Sequence, residues 1–136
     1  MESILNFLDG RRSVRQFDTQ ADLGKDVITD ILKHASYAPS GNNFQPWRVV
    51  VVSNKEKHLA KFAAGQLQVK EASAVLLLFG DKTAYDLDWW QHFHLEKGAA
   101  TKEAIPERIR RMEAYFSLHP EDKGIEGLRL DVGLFA

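Results

Sequence analysis

The 136-residue sequence contains no cysteine, and this absence removes several classes of site at once. Disulfides, thiolate zinc sites, iron–sulfur clusters and a cysteine nucleophile all require a thiol. The chain also lacks a surplus of one charge, since its 18 Lys and Arg residues are balanced by 19 Asp and Glu residues. A general nucleic-acid or anionic-membrane binder needs a basic surplus, so the charge balance argues against both partners.

Long apolar runs are also lacking. The longest, residues 74–80, is far too short to cross a bilayer, and the first residues do not follow the pattern of a secretory signal. We therefore expect a cytoplasmic protein. Its composition, 44% hydrophobic and 27% charged, is typical of a folded globular chain, and we expect one domain over residues 1–136.

Hydrophobic spacing predicts a mixture of helices and two core strands. The continuous apolar runs at 48–53 and 74–80 predict strands, the first of them buried on both faces. Residues 40–47 are rich in Gly, Asn and Pro and predict a loop, and 81–105 carry no clear pattern. Helices are expected at 3–10, 25–38, 54–64, 106–119 and 122–136, with Ser3 and Asn54 as caps and Gly65 as a stop.

The stretch "GRRSVRQFD" places three arginines around a serine, at Arg11, Arg12, Ser13 and Arg15. One interpretation is a solvated helix end, because the helix dipole favours cations near the C-terminus. The other is a phosphate site, because guanidinium groups donate bidentate hydrogen bonds to phosphate oxygens. In an extended segment, Arg11, Ser13 and Arg15 would face one side and Arg12 the other.

A second polar stretch, "APSGNNFQPW", connects a predicted helix to the first strand. Gly, Asn and Pro are ordinary turn residues. The stretch nevertheless concentrates hydrogen-bonding side chains at Ser40, Asn42, Asn43, Gln45 and Trp47. Amides both donate and accept, which suits a heterocycle with alternating C=O and N–H edges, such as a flavin.

Together, "RRSVRQFD", "APSGNNFQPWRVVVV" and "GQLQVKEASAVLLLFGD" resemble the FMN-dependent nitroreductase family. The resemblance runs from Ser3 to about Tyr85 in consistent order and spacing, and continues more loosely through the last helix. It implies an α+β fold with a mostly antiparallel sheet flanked by helices, assembled as a homodimer. The sequence ends on an apolar, uncapped helix, so we expect the C-terminal part of the family domain to be missing.

The resemblance also implies an FMN site at the dimer interface. Residues matching the phosphate, ribityl and pyrimidine contacts are Arg11, Ser13 and Arg15, with Arg12 contacting the cofactor by its backbone. Residues matching a loop that meets the flavin of the other subunit are Pro39, Ser40, Asn43 and Gln45. A polar pair matching the flavin's carbonyl and ring-nitrogen edge is Gln66 and Gln68, and Gln68 replaces the Lys of some relatives.

The implied activity is NAD(P)H-dependent reduction of nitroaromatics, quinones or similar acceptors by ping-pong hydride transfer. The flavin carries the chemistry, so no catalytic side chain and no metal are expected. Trp89, Trp90 and Phe93 match a region near the substrate channel, and His92 and His94 would share a metal only in an extended segment. The alternative is a non-catalytic relative or proteolytic core that acts as a dimeric ligand-binding module with weak or no flavin.

Overall fold

The structure, a computed structural model, describes residues 4–53 and 57–136. Within these ranges it contains six α-helices and two strands. In chain order they are α1 (Ile4–Gly10), α2 (Lys25–Ala35), β1 (Trp47–Ser53), α3 (Leu67–Glu71), β2 (Ala74–Gly80), α4 (Leu87–Glu96), α5 (Ile105–Leu118) and α6 (Ile125–Phe135). Short 3-10 helices lie at Gly41–Asn43, Lys57–Lys61, Lys82–Ala84 and Pro120–Lys123.

The two strands pair with each other as a two-stranded sheet. The N–H of Asp81, just after β2, donates to the carbonyl of Pro46, just before β1, at 2.7 Å. The end of one strand therefore lies beside the start of the other, so the pair is antiparallel. An ion pair of 3.0 Å between Arg48 and Asp81 closes the same end. This agrees with the expected α+β fold.

Strand β1 differs from the prediction of burial on both faces. Val50 and Val51 are 49% and 41% exposed, although both are β-branched and apolar. Neighbouring side chains of a strand point to opposite faces of the sheet, so the exposure of both residues shows that neither face of β1 is fully covered. An apolar run predicts a strand correctly here but does not predict what packs on it.

The chain divides into two compact units. The expectation of a single domain over residues 1–136 stays a prediction. One unit comprises Met1–Gly24 and Val51–Leu76, and the other Lys25–Val50 and Leu77–Ala136. In the first, Ala60 is buried, and the hydroxyl of Ser73 donates to the carbonyl of Ala21 at 2.6 Å.

The second unit contains an aromatic core. Its buried cluster consists of Phe44, Tyr85, Trp90, Ile105 and Met112. Helix α5 supplies the last two of these, and Pro106 lies in its first turn as the sequence predicted. This core therefore gathers residues from the 40–47 loop, from α4 and from α5.

Several element boundaries differ from the predictions. The helix expected at 54–64 is only a 3-10 helix at Lys57–Lys61, while the proposed caps Ser3 and Asn54 lie outside the described residues. Gly65 does end this segment, with a φ of 72° and its N–H donating to the carbonyl of Ala60 at 2.7 Å. Helix α2 stops at Ala35, and α6 starts at Ile125.

Helix α4 was not predicted, because its dense aromatic residues obscure the helical spacing. Its start is nevertheless marked by Asp86, whose carboxylate accepts the N–H of Trp89 at 2.7 Å. Across the described residues, no helix has both the length and the apolarity that crossing a bilayer requires.

Candidate functional site

The loop between α2 and β1 has an unusual backbone. Ser40 is extended, and three of the five residues that follow have left-handed φ angles: 47° at Asn42, 59° at Asn43 and 50° at Gln45. Asn tolerates this conformation better than other L-residues, whereas Gln is poorly suited to it. A run of strained residues persists only where the surroundings hold it, and such runs concentrate at functional sites.

Hydrogen bonds from two helices hold this loop. A carboxylate oxygen of Asp131, on α6, accepts the N–H of Gly41 at 2.8 Å. The indole of Trp90, on α4, donates to the carbonyl of Asn42 at 2.7 Å. Within the loop, the Ser40 hydroxyl accepts the N–H of Gln45 at 3.0 Å. The strained segment is therefore fixed at its start and in its middle.

Buried rings anchor the end of the loop. Phe44 is 0% exposed and packs against Tyr85 with ring centroids 5.3 Å apart. Pro46 is fully buried, and Trp47 stacks on Phe135 of α6 at 4.9 Å. These contacts place the loop on the core of its unit, while the side chains of Asn42 and Asn43 are exposed.

Asp131 is buried, with 4% of its surface exposed, and the sequence analysis missed it. Its second carboxylate oxygen accepts the hydroxyl of Tyr85 at 3.0 Å. Burial raises the pKa of Tyr85 well above its ordinary value, and the negative charge of Asp131 adds to this effect. The Tyr85 hydroxyl therefore keeps its proton and remains a hydrogen-bond donor. The available signal was a single acid within the otherwise apolar stretch "LDVGLF".

A cleft of about 400 Å³ borders the loop. Two predicted site residues, Pro39 and Ser40, form part of its wall. The other lining residues are Gly41, Asn42, Tyr85, Tyr115, Phe116, Asp122, Gly127, Leu130, Asp131 and Leu134. The cleft is mainly apolar with a few polar groups, which is the usual character of a small-molecule site.

The remaining predicted loop residues present amide groups near the surface. Asn43 is exposed and Gln45 half-buried, and the Gln45 side chain donates to the Asn43 side chain at 3.0 Å. Each amide keeps further donor and acceptor capacity.

The arginine stretch lies in the other unit, and its arginines differ. The guanidinium of Arg12 donates to the carbonyls of Asp9 and Arg11 at 2.7 and 2.8 Å, at the end of α1. This matches the helix-end interpretation for that one residue. The side chains of Arg11, Ser13 and Arg15 are exposed, and no described residue pairs with them. Their donors are available to an anion.

Gln66 and Gln68 lie at the start of α3, in the same unit as the arginines. Gln66 is exposed and precedes the helix, and Gln68 is half-buried in its first turn. The predicted site residues thus form two groups, with the arginine stretch and the glutamine pair in one unit and the 39–45 loop in the other.

Helix α4 separates the three aromatic residues that the sequence grouped together. Trp89 and Phe93 stack at 5.0 Å with an interplanar angle of 16°, and Trp89 is 43% exposed. Trp90 is 4% exposed and stacks on His94. Of these three residues, Trp89 and Phe93 therefore offer an accessible aromatic surface and Trp90 does not.

The two histidines of α4 form hydrogen bonds to backbone carbonyls of the same helix. The Nδ1 atoms of His92 and His94 lie 2.6 and 2.8 Å from the carbonyls of Asp88 and Trp90. Since a carbonyl only accepts, each Nδ1 carries a proton in these bonds. Residues two apart on a helix point in different directions, so the pair does not form the extended metal-binding arrangement considered above.

Comparison with known proteins agrees with this architecture. The sequence model of the nitroreductase family matches residues 8–136. YdgI of Bacillus subtilis, named as an NAD(P)H nitroreductase, is 32% identical over 136 residues, covering 96% of this chain and 64% of YdgI. The chain thus spans slightly less than two thirds of the length of this relative.

Solved structures give the same result. A nitroreductase-like protein from Streptococcus mutans is 65% identical with a TM-score of 0.92, covering 97% of this chain and 65% of the other. A protein from Exiguobacterium sibiricum, described as a nitroreductase in complex with FMN, is 31% identical with a TM-score of 0.81, covering 99% and 66% of the two chains. Because the family model matches residues 8–136 and the fold agrees with these solved structures, the chain belongs to the nitroreductase family.

Proposed function

We propose that the protein is an FMN-dependent NAD(P)H oxidoreductase that reduces nitroaromatics, quinones or similar flat acceptors. The observation that carries the proposal is the contrast within the arginine stretch. Arg12 is bound to the end of α1, whereas Arg11 and Arg15 keep donors that no described residue uses. Free, exposed guanidinium groups flanking Ser13 suit a phosphate ester.

The residues present fit the rest of FMN as well. The phosphate requires cationic or hydroxyl donors, which Arg11, Ser13 and Arg15 offer. The flavin's pyrimidine edge requires groups that donate and accept, which the amides of Asn43 and Gln45 offer near the surface. The relative from Exiguobacterium sibiricum was solved with FMN, which supports FMN as the cofactor.

When bound, FMN would supply hydride and electron transfer between NAD(P)H and the acceptor, in a ping-pong sequence. The protein's residues hold and orient it. Arg11 and Arg15 would fix the phosphate and place positive charge near the flavin. Gln66 and Gln68 would hydrogen-bond its polar edge. Gln68 adds no positive charge there, in contrast to the Lys of some relatives.

We also propose a homodimer in which each flavin contacts both subunits. The two groups of predicted site residues lie in separate units of the chain, and the resemblance assigns them to different subunits. Helix α1 carries Ile4, Phe7 and Leu8 at 75%, 71% and 57% exposure. An apolar face of this kind favours association. The cytoplasmic location stays a prediction.

The stacked pair Trp89 and Phe93 is the proposed platform for the acceptor. Its exposed aromatic face would stack against a flat ring. Nitroaromatics and quinones both offer such a ring, which accounts for the proposed acceptor class.

The test uses purified protein titrated with FMN, followed by the visible absorption and fluorescence of the flavin. We expect saturable binding near one FMN per subunit. Anaerobic NADH or NADPH should then bleach the bound flavin, and a quinone added afterwards should restore its colour. Bleaching and recovery as separate steps would support the ping-pong sequence.

Two results would contradict the proposal. Absence of saturable FMN binding would remove the cofactor assignment. Binding without bleaching by either nicotinamide would remove the enzymatic assignment and support the alternative, a dimeric ligand-binding module. A parallel titration of the protein with riboflavin supplies the control. Riboflavin lacks the phosphate that Arg11 and Arg15 are proposed to hold, so it should bind more weakly than FMN.

A further inference from the structure

We infer that Asp131 is a positioning residue of the proposed flavin site, because its buried carboxylate holds the backbone of the 40–45 loop in its strained form. Asp131 belongs to α6, and it contacts the loop backbone at Gly41. The inference rests on the proposed function, since the loop matters for catalysis only if it meets a flavin.

The first support is the way Asp131 is hydrogen-bonded. One carboxylate oxygen accepts the Gly41 N–H at 2.8 Å and the other accepts the Tyr85 hydroxyl at 3.0 Å. The residue is only 4% exposed. A buried carboxylate is costly unless both of its oxygens are hydrogen-bonded, and here both are.

The second support is the place of the contact. Gly41 is the first residue of the 3-10 helix Gly41–Asn43, and two of the left-handed residues, Asn42 and Asn43, lie in that helix. The Asp131 carboxylate satisfies the N–H of Gly41 at the start of this turn. Asp131 therefore acts where the strained segment begins.

The third support is that Asp131 does not use the loop's side chains. Its contact is with the backbone N–H of Gly41, and the side chains of Asn43 and Gln45 bond to each other. Loss of Asp131 would leave all predicted flavin-contacting groups in the protein but would release the backbone that orients them. Its effect on the flavin would be indirect.

The first experiment compares Asp131→Ala with Asp131→Asn by fluorescence titration of FMN. Alanine leaves the Gly41 N–H and the Tyr85 hydroxyl without their acceptor, and we expect the Kd for FMN to rise about tenfold or more. Asparagine keeps one oxygen in nearly the same place, so it should recover most of the affinity. Equal Kd values for wild type and Asp131→Ala would overturn the inference, as would an Asn variant as weak as Ala.

The second experiment removes the donor rather than the acceptor. Gly41→Pro deletes the N–H and places its ring Cδ against the Asp131 carboxylate, so it breaks this contact from the loop side; the extended backbone of Ser40 is the conformation that a following proline favours. Gly41→Ala is the matched control, because it keeps the N–H and its Cβ would lie 3.7 Å from Asp131, an ordinary contact. We expect Pro, but not Ala, to weaken FMN binding, with little further loss when Asp131→Ala is added.

Additive losses in the double variant would overturn the inference, because they would show that the two groups act independently. This pair also keeps the test decisive if Asp131→Ala fails to fold.

Hydrogen exchange of the flavin-free protein separates this inference from the proposed function. In Asp131→Ala, we expect faster exchange of the Gly41 and Phe44 amides than in wild type or Asp131→Asn, with unchanged protection in α5. Uniform loss of protection would show a general stabilising role and overturn the inference. If wild type binds no FMN, the proposed function fails, and unchanged loop exchange in Asp131→Ala would then also remove the positioning role.

Discussion

At the scale of single residues, backbone strain is the most informative feature. Four non-glycine residues have positive φ angles in the described chain: Asn42, Asn43, Gln45 and Ala64. The first three lie in the loop that is proposed to meet the flavin. Ala64 lies in a turn before α3 and carries no predicted function, so its strain should be removable without other effects.

Ala64→Gly should therefore stabilise the protein by about 0.5–1 kcal/mol, because glycine adopts a left-handed φ without the steric cost of a Cβ. The adjacent Ala63→Gly is the control, since Ala63 has no positive φ. It should destabilise by about 0.5–1 kcal/mol through the added freedom of the unfolded chain. Urea denaturation measures both. Equal shifts in the same direction would contradict the strain argument.

The arginine stretch gives a second prediction at this scale. Arg11→Ala should raise the Kd for FMN about tenfold or more, because it removes a charge-assisted hydrogen bond to phosphate. Arg12→Ala should leave the Kd within about threefold, since its guanidinium is bound at the end of α1. Fluorescence titration of both variants tests the difference. A larger loss for Arg12→Ala would reverse the assignment.

At the scale of elements, α5 shows how exposed charges act along one helix. Hydrogen bonds from Arg110, which have the larger effect, and from Arg111 lower the pKa of Glu107 to about 2 from an ordinary 4.5. Because the folded pKa lies below the unfolded one, this stabilisation is present above about pH 4.5 and is lost as the pH falls toward 2. The group is fully exposed, so the effect is small and screened by salt.

Glu107→Gln should therefore lower the urea midpoint slightly at pH 7 and low salt, and the difference from wild type should shrink toward pH 2 or at high salt. Glu113→Gln, on the same helix and outside the described ion pairs, is the control and should change little. A Glu107→Gln difference that persists at pH 2 would show that packing, not charge, is responsible.

The elements also show what the sequence could and could not predict. Helix α5 was predicted because Pro106 marks its start and Met112 is spaced to be buried. Helix α4 was missed because its aromatic residues serve two surfaces, with Trp90 in the core and Trp89 exposed. The two stretches proposed to contact FMN were picked out because their patterns are local in the sequence. Asp131 was not, because its role comes from a contact between distant parts of the chain.

At the scale of the whole molecule, the proposed homodimer gives a direct test. Phe7→Glu places a charge on the apolar face of α1 and should shift the protein toward monomer in sedimentation velocity. Asn6→Glu is the matched control, because Asn6 is exposed and lies on the opposite side of the same helix. A Phe7→Glu protein that sediments like wild type would show that this face is not the interface.

Ninety residues separate Gly41 from Asp131, and this separation has a consequence for synthesis of the protein. At about 5–20 residues per second, the ribosome adds Asp131 roughly 5–20 s after Gly41. During that interval the nascent loop lacks the carboxylate that holds it, so capture of FMN should follow translation of α6 rather than accompany emergence of the loop. Ribosome-arrested chains in which a C-terminal linker has carried α6 out of the exit tunnel should retain flavin better than chains in which α6 is still inside it.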